Sequence, residues 1–443
     1  MTFLRSRVLQ LFLVAGIFIG QSQAQVADVV DSGEGPNPAA DGSAGGSSGG
    51  APSSGGWEFS ESPALVVPGV IALRGLSGAG LVLGTGLSGG YGQISSSTPG
   101  DASGFIAVAQ PYAGLFQTGP RHKVLLEYSP TINFYNNDRW EGGVLQRAGF
   151  RGFTDLSRRW RWVFAADGTS GTEYLRELSG LGMGLYPGWL TFTAPSNVVR
   201  AASAITGLHW RRKPLQEFSF TVANFYSSVK DGPHYDAGLA RLQMTNYFGR
   251  DANWYVFTEG IRYSNQPNCT RIVSGAGISV HFNTGTMLGL EGAPVYGTGD
   301  CTAQWTAGFS GRIVQRITPK TFFYLTAGRD LMEPYLLQSR WTDIFSARFA
   351  QGLSRNTRVS LGAGYAVSSD LPDSQLARYR GFQATSEFNW RLAEGLKLVA
   401  TYRYFKRDFN YAYGDDTSFH GRNSWAFLSL VWHPMIRRMG RSD

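Results

Sequence analysis

Charge is scarce in this chain. Asp, Glu, Lys and Arg make up 16% of its 443 residues, against about 25% in ordinary soluble domains, so a fully water-wetted surface is hard to build from it. Cysteine is nearly absent. Cys269 and Cys301 are the two in the sequence, too few for a thiolate zinc site, and no metal is expected. The six histidines, His122, His209, His234, His281, His420 and His433, are scattered. None stands in a metal-ligating or nucleophile–base pattern, so neither a cofactor nor an enzymatic activity is expected. No Lys/Arg cluster stands out before the C-terminus, which removes the electrostatic footprint of a nucleic-acid binder. After residue 24 no apolar run approaches the roughly 20 residues that a membrane-spanning helix needs. A helical inner-membrane protein is excluded.

The first two dozen residues have a different character. Arg5 and Arg7 precede an apolar run from Val8 to Gly20, and Ser22-Gln23-Ala24 offers a small-x-small cleavage site. This is the pattern of a secretory signal peptide over residues 1–24. No Cys follows, so no lipid anchor is expected. Its removal deletes two arginines and no acid, and the formal charge falls from +8 to +6. Residues 25–77 contain DSGEGPNPAADGSAGGSSGGAPSSGG, a composition unable to bury enough apolar surface to offset chain entropy. A flexible segment on the periplasmic side is expected there.

From residue 78 the text alternates. Leu396, Leu398, Ala400, Tyr402 and Tyr404 share one parity, and Lys397, Thr401 and Arg403 the other. Val124, Leu126, Tyr128, Ile132 and Phe134 oppose Lys123, Glu127, Ser129, Thr131 and Asn133 in the same way. Trp160, Trp162 and Phe164 oppose Arg159, Arg161 and Asp167. Alternation of this kind places side chains on opposite faces of a strand. About eighteen such segments follow one another, with sixteen as the alternative count, and short turns alternate with longer links. These features predict a closed, all-β antiparallel transmembrane barrel over residues 78–433, with short periplasmic turns, longer outer loops and both termini periplasmic. Residues 434–443 form a basic tail expected to be solvated. Aromatics at segment ends (Trp140, Trp160, Trp162, Trp210, Tyr247, Trp254, Trp390, Trp425, Trp432) are expected to form interfacial girdles.

The last two segments, LKLVATYRYFKRDFNYAYGDDTSFHGRNSWAFLSLVW (396–432), resemble the terminal hairpin of outer-membrane β-barrel porins. Some of these accompany exopolysaccharide or capsule secretion. The resemblance is one of style over residues 78–432. It implies an outer-membrane channel for small polar solutes or an exported polysaccharide. It also implies outer-membrane lipid, lipopolysaccharide and the barrel-assembly machinery as partners, with polysaccharide-secretion components a further partner class. One departure is that eleven residues follow Trp432, where many such barrels end on an aromatic.

The candidate pore-lining residues lie opposite the aromatic stripes: Lys123, Glu127, Arg159, Arg161, Asp167, Arg241, Arg358, Glu387, Arg391 and Arg403. Basic residues outnumber acidic ones in this set, which favours anions, while mutual ion pairing is the competing use of the same groups. Cys269 and Cys301 fall in links separated by one hairpin, and an exported pair of cysteines reads as one disulfide joining two outer loops. Two other uses of the barrel remain open. One is a structural or adhesive barrel plugged by its own link at 172–196, and the other is an enzyme at the barrel rim.

Overall fold

A computed structural model describes residues 78–95, 102–136, 143–172, 198–230, 234–248, 251–264, 268–282, 285–299, 305–332, 340–369, 379–410, 418–432 and 437–439. The leader, the segment 25–77, Trp140, Cys301 and nearly all of the link 172–196 lie outside them.

Alternation becomes an antiparallel sheet because a two-residue period gives every strand one oily and one polar face. The strands are β1 (Gly78–Ser95), β2 (Ala102–Thr118), β3 (His122–Tyr128), β4 (Thr131–Tyr135), β5 (Gly143–Asp155), β6 (Trp160–Thr172) and β7 (Val198–Lys213). They continue as β8 (Gln216–Val229), β9 (His234–Phe248), β10 (Ala252–Ser264), β11 (Cys269–His281), β12 (Thr286–Gly299) and β13 (Trp305–Thr318). The last are β14 (Thr321–Met332), β15 (Arg340–Gly352), β16 (Thr357–Ser369), β17 (Tyr379–Ala393), β18 (Leu396–Asn410), β19 (Ser418–Trp432) and β20 (Arg437–Met439).

These twenty segments make eighteen staves. β3 and β4 are two halves of one stave, since both pair with β2 on one side and β5 on the other. Pro130 lies in the break, where a residue without an N–H cannot hold a ladder rung. β20 continues β19, because both pair with β1. The tail is therefore not wholly a free solvated extension: Arg437–Met439 pair with Leu81, Gly80 and Ala79. The pairing of β1 with β19 closes the sheet, from Thr85↔Trp432 to Ser95↔Arg422. A closed sheet leaves no strand edge unpaired.

One end of the barrel carries the short turns. Three of them, between β7 and β8, β13 and β14, and β17 and β18, are preceded by a register shift. Gly395 in the last takes φ +74°, a left-handed conformation that costs a side-chain-bearing residue far more. Gly78 pairs with Thr118 at this same end, so both ends of the described chain meet there.

The outer face is oily. Phe105 (67%), Leu242 (57%) and Trp305 (72%) stand exposed, as do Leu83, Leu87, Leu290, Phe345, Leu361, Leu428 and Leu430. Such a continuous apolar exterior suits hydrocarbon. Trp160 and Trp210 stack at 5.6 Å, and Trp210 stacks on Phe218 at 5.5 Å. Two expected girdle residues turn inward instead. Trp425 is buried on the inner face opposite Gly92, and Tyr247 shares the inner parity of Arg241 and Gln243.

The closing seam is interlocked. Ser88 and Ser429 hydrogen-bond at 2.8 Å, and the Trp425 ring covers Gly92 so closely that a Cβ there would lie 2.0 Å from it. Gly89 lies on the outer face of β1 with nothing within 4 Å of its Cβ position. Gly92→Val should therefore destabilise the barrel by about 1–3 kcal/mol through overpacking, whereas Gly89→Val should leave it intact. Thermal melting in detergent, followed by the gel shift of the heat-unfolded barrel, measures both. Equal melting of the two variants would contradict this account of the seam.

Candidate functional site

The inner wall is the functional surface that this topology creates, and its chemistry differs around the circumference. On β2, β3, β5 and β6 most of the charges are paired. Arg147 Nε donates to Asp167 Oδ2 at 3.1 Å, and Arg151 to Glu127 Oε2 at 3.2 Å. Tyr112 adds its hydroxyl to Glu127 at 3.3 Å. Nearer the short-turn end, Arg161 binds Asp155 through two nitrogens at 2.6 and 3.2 Å and lies over the Phe153 ring. Next to it His209 Nδ1 and Glu217 Oε1 are 2.8 Å apart.

The densest network spans β9 to β12. Arg241 contacts Glu259 at 3.3 Å and Glu291 at 3.6 Å, donates twice to Gln243 Oε1, and stacks over Phe257 with its Cζ 4.0 Å from the ring centre. Arg271 reaches the other oxygen of Glu259 at 3.8 Å. Tyr255 donates its hydroxyl to Glu291 at 2.8 Å. Gly277, opposite Glu291, lets the Tyr255 ring cross this point: a Cβ at Gly277 would lie 2.2 Å from it. Tyr255, Phe257, Val273, Ala293 and Val295 form an apolar bed around the ions. Glu259 is 0% and Arg271 2% exposed.

The other arc, β13 to β18, is different. Arg312 and Arg316 on β13, Arg348 on β15, Arg358 on β16, Arg391 on β17, and Lys397 and Arg403 on β18 all share the inner parity of their strands. Glu387 is the one acid among the described inner side chains of this arc, and Asn389 Nδ2 donates to it. Arg312 is exposed to the lumen, flanked by Gly289 and Thr326 rather than by a carboxylate.

Of the ten residues expected to line a pore, nine face inward. Lys123, Glu127, Arg161, Asp167, Arg241, Arg358, Glu387, Arg391 and Arg403 take that parity, with Arg391 exposed at the short-turn mouth. Arg159 does not. It lies in the exposed turn after β5, where its backbone N–H donates to Ser157 Oγ and its carbonyl accepts from Arg211. The alternation that selected it ends at Trp160. The sequence reading missed Arg147, Arg151, Glu259, Arg271 and Glu291. Cys269 is corrected too. It is the first residue of β11, buried on the inner face beside Ala237, Ile261 and Tyr263, rather than part of a loop. It is disulfide-bonded. Its ladder partner is Gly299, and Cys301, the one other cysteine of the chain, follows two residues later.

No protein-family model and no curated protein matches the chain. Solved structures similar to it include Pseudomonas aeruginosa OccK11 (OpdR), at 10% identity and TM-score 0.43, covering 82% of this chain and 99% of that one. A BenF-like porin from Pseudomonas fluorescens Pf-5 gives 9% and 0.45, covering 80% and 99%. Acinetobacter baumannii OccAB4 gives 8% and 0.44, covering 82% and 100%. With identities and scores this low, the functional reading rests on the barrel's own geometry.

Breaking the β9–β12 network from one side leaves a buried charge unmatched. Glu259→Ala should cost about 3–5 kcal/mol, seen as a lower denaturant midpoint in detergent. A cost below about 1 kcal/mol would show that the pairs are solvated and interchangeable, as exposed pairs are.

Proposed function

We propose that this protein is an outer-membrane channel for small polar solutes, preferring anions. The observation that carries the reading is the uneven inner wall. From β1 to β12 the described inner side chains include seven cations (Lys123, Arg147, Arg151, Arg161, Arg211, Arg241, Arg271) and six acids (Glu127, Asp155, Asp167, Glu217, Glu259, Glu291). From β13 to β18, among the described inner side chains, seven cations meet Glu387 alone. An eighteen-stranded barrel is wide enough to enclose an aqueous path. In such a path charge of one sign on one wall raises the local concentration of the opposite ion. An anion travels along the β13–β18 arc past the exposed guanidinium groups of Arg312 and Arg391. The arc from β1 to β12, with one cation in excess among its described inner side chains, supplies a nearly neutral wall.

The oily exterior supports a bilayer setting, and the leader-like N-terminus supports export to the outer membrane. With both ends of the described chain on the short-turn end, that end faces the periplasm and the long links face outward. A Cys269–Cys301 bond then ties the start of β11 to the link after β12, stiffening the outer mouth.

Reversal potentials of single channels in a KCl gradient test the selectivity. The native protein should favour chloride. Arg312→Glu combined with Arg348→Glu should lower the anion-to-cation permeability ratio by about threefold or more. A cation-selective native channel, or a tight barrel through which liposomes do not swell, would sink the proposal. Intact mass under non-reducing conditions tests the bond separately: no thiol should react with iodoacetamide until reductant is added, and two reactive thiols would rule it out.

A further inference from the structure

The outer face is apolar over most of its height, but on β17, β18 and β19 it ends in a knot of cations. Lys406 and Arg422 are directly opposed across the β18–β19 ladder. Arg380 stands opposite Asp408 and diagonal to Lys406. All three cations share the parity of Phe382, Tyr402, Tyr404 and Leu428, which face the lipid. Opposed residues on an antiparallel pair have Cβ atoms about 4.5–5.5 Å apart, and like charges placed so repel. One carboxylate relieves this, since Lys406 Nζ lies 3.1 Å from Asp408 Oδ2. Arg380 and Arg422 are exposed and have no ion-pair partner among the described residues. Among the described residues the knot therefore keeps a surplus of two positive charges.

Height decides what could balance it. Trp390 and Trp432 mark the lower edge of the oily band here, while Phe382 and Tyr404, with ring centres 6.3 Å apart, mark the upper edge. Trp390 and Phe382 are eight residues apart on β17, or about 26 Å along a strand and near 20 Å in height at the usual tilt. Arg380 comes one inward–outward period beyond Phe382 on β17, Lys406 one period beyond Tyr404 on β18, and Arg422 stands opposite Lys406, which puts the three at headgroup level. Basic groups at that level attract anionic headgroups, and paired guanidinium nitrogens suit phosphate oxygens.

We infer that Arg380, Lys406 and Arg422 form a docking site on the barrel exterior for the phosphate of an outer-leaflet glycolipid of the lipid A type. The site rests on the outward orientation of the long links given above, but not on what passes through the lumen. The surplus charge suits one phosphate, with Asp408 holding Lys406 in place. The acyl chains of the lipid would lie along the apolar surface of Tyr402, Tyr404 and Phe382.

Native mass spectrometry of the full mature protein in detergent, titrated with purified lipid A, provides the test. Bis-phosphorylated lipid A should bind roughly tenfold or more tightly than the same lipid stripped of phosphate. The preference should shrink with added salt, and millimolar inorganic phosphate should compete only weakly. Arg380→Gln, Lys406→Gln and Arg422→Gln together should abolish the preference, while Arg158→Gln in a short turn should keep it. Folding of the triple variant is checked by its heat-dependent gel shift and by its conductance, which should match the native channel. Equal binding of phosphorylated and stripped lipid, or a folded triple variant that keeps the preference, would overturn the site. A native protein that conducts normally but shows no lipid preference would overturn this site alone and leave the channel reading standing.

Discussion

Closure of the backbone ladder governs everything else in this molecule. Once β19 pairs with β1, every amide in the ring of strands can be satisfied by a neighbour, and no edge has to meet hydrocarbon or another chain. Closure also removes any choice of side-chain direction. Each residue faces either the interior or the exterior, and its neighbour faces the other way. An oily exterior and a polar interior are then two readings of one alternating text. A single register slip would exchange them.

The interior must deal with charge in one of two ways, and this barrel uses both. Ions removed from water are tolerable when their partners are close and well oriented, because desolvation is costly and must be offset locally. Arg241, Glu259, Arg271 and Glu291 meet that condition within a bed of Tyr255, Phe257, Val273 and Val295. Arg312 meets the other condition, lying exposed where water can hydrate it. The two solutions occupy different arcs, so the lumen has a sidedness that net charge alone does not reveal. A formal charge of +8 over 443 residues is modest, but most of the inner-wall excess is concentrated on six adjacent strands.

The fold was legible because alternation, turn spacing and the contrast between short and long links are local signals. The inner face of Leu396–Asn410 or His122–Tyr128 follows from reading every second residue. Three failures share a cause, which is that residue type does not reveal which way a side chain points. Trp425 and Tyr247 are aromatics that face inward, and on β10 the inner residues Tyr255, Phe257, Ile261 and Tyr263 are oilier than the outer Thr258, Gly260 and Arg262. Hydropathy therefore points the wrong way over the second half of that strand, from Thr258 onward, and Glu259 stays hidden. Turn positions could have exposed it. Arg241 and Glu259 lie equally far from the turn between β9 and β10, so pairing by distance from that turn sets them face to face. The exposed Arg159 shows the opposite error, a strand pattern carried one residue past the strand's end.

The seam shows why glycine is so abundant here. Ser88 and Ser429 are 341 residues apart in sequence, and contacts this distant form late, since loop-closure entropy must be overcome before they contribute. A seam that closes last gains from dense packing that only the correct register allows. Trp425 over Gly92 and Phe427 over Gly90 supply it. Each large ring needs a residue without a side chain directly opposite, so a shift of one residue would drive the rings outward and leave the glycines uncovered. The glycines of β1 thus act with the aromatics of β19 as a register key. β20 lengthens the same seam beyond Trp432, adding rungs at the end where the two ends of the described chain meet.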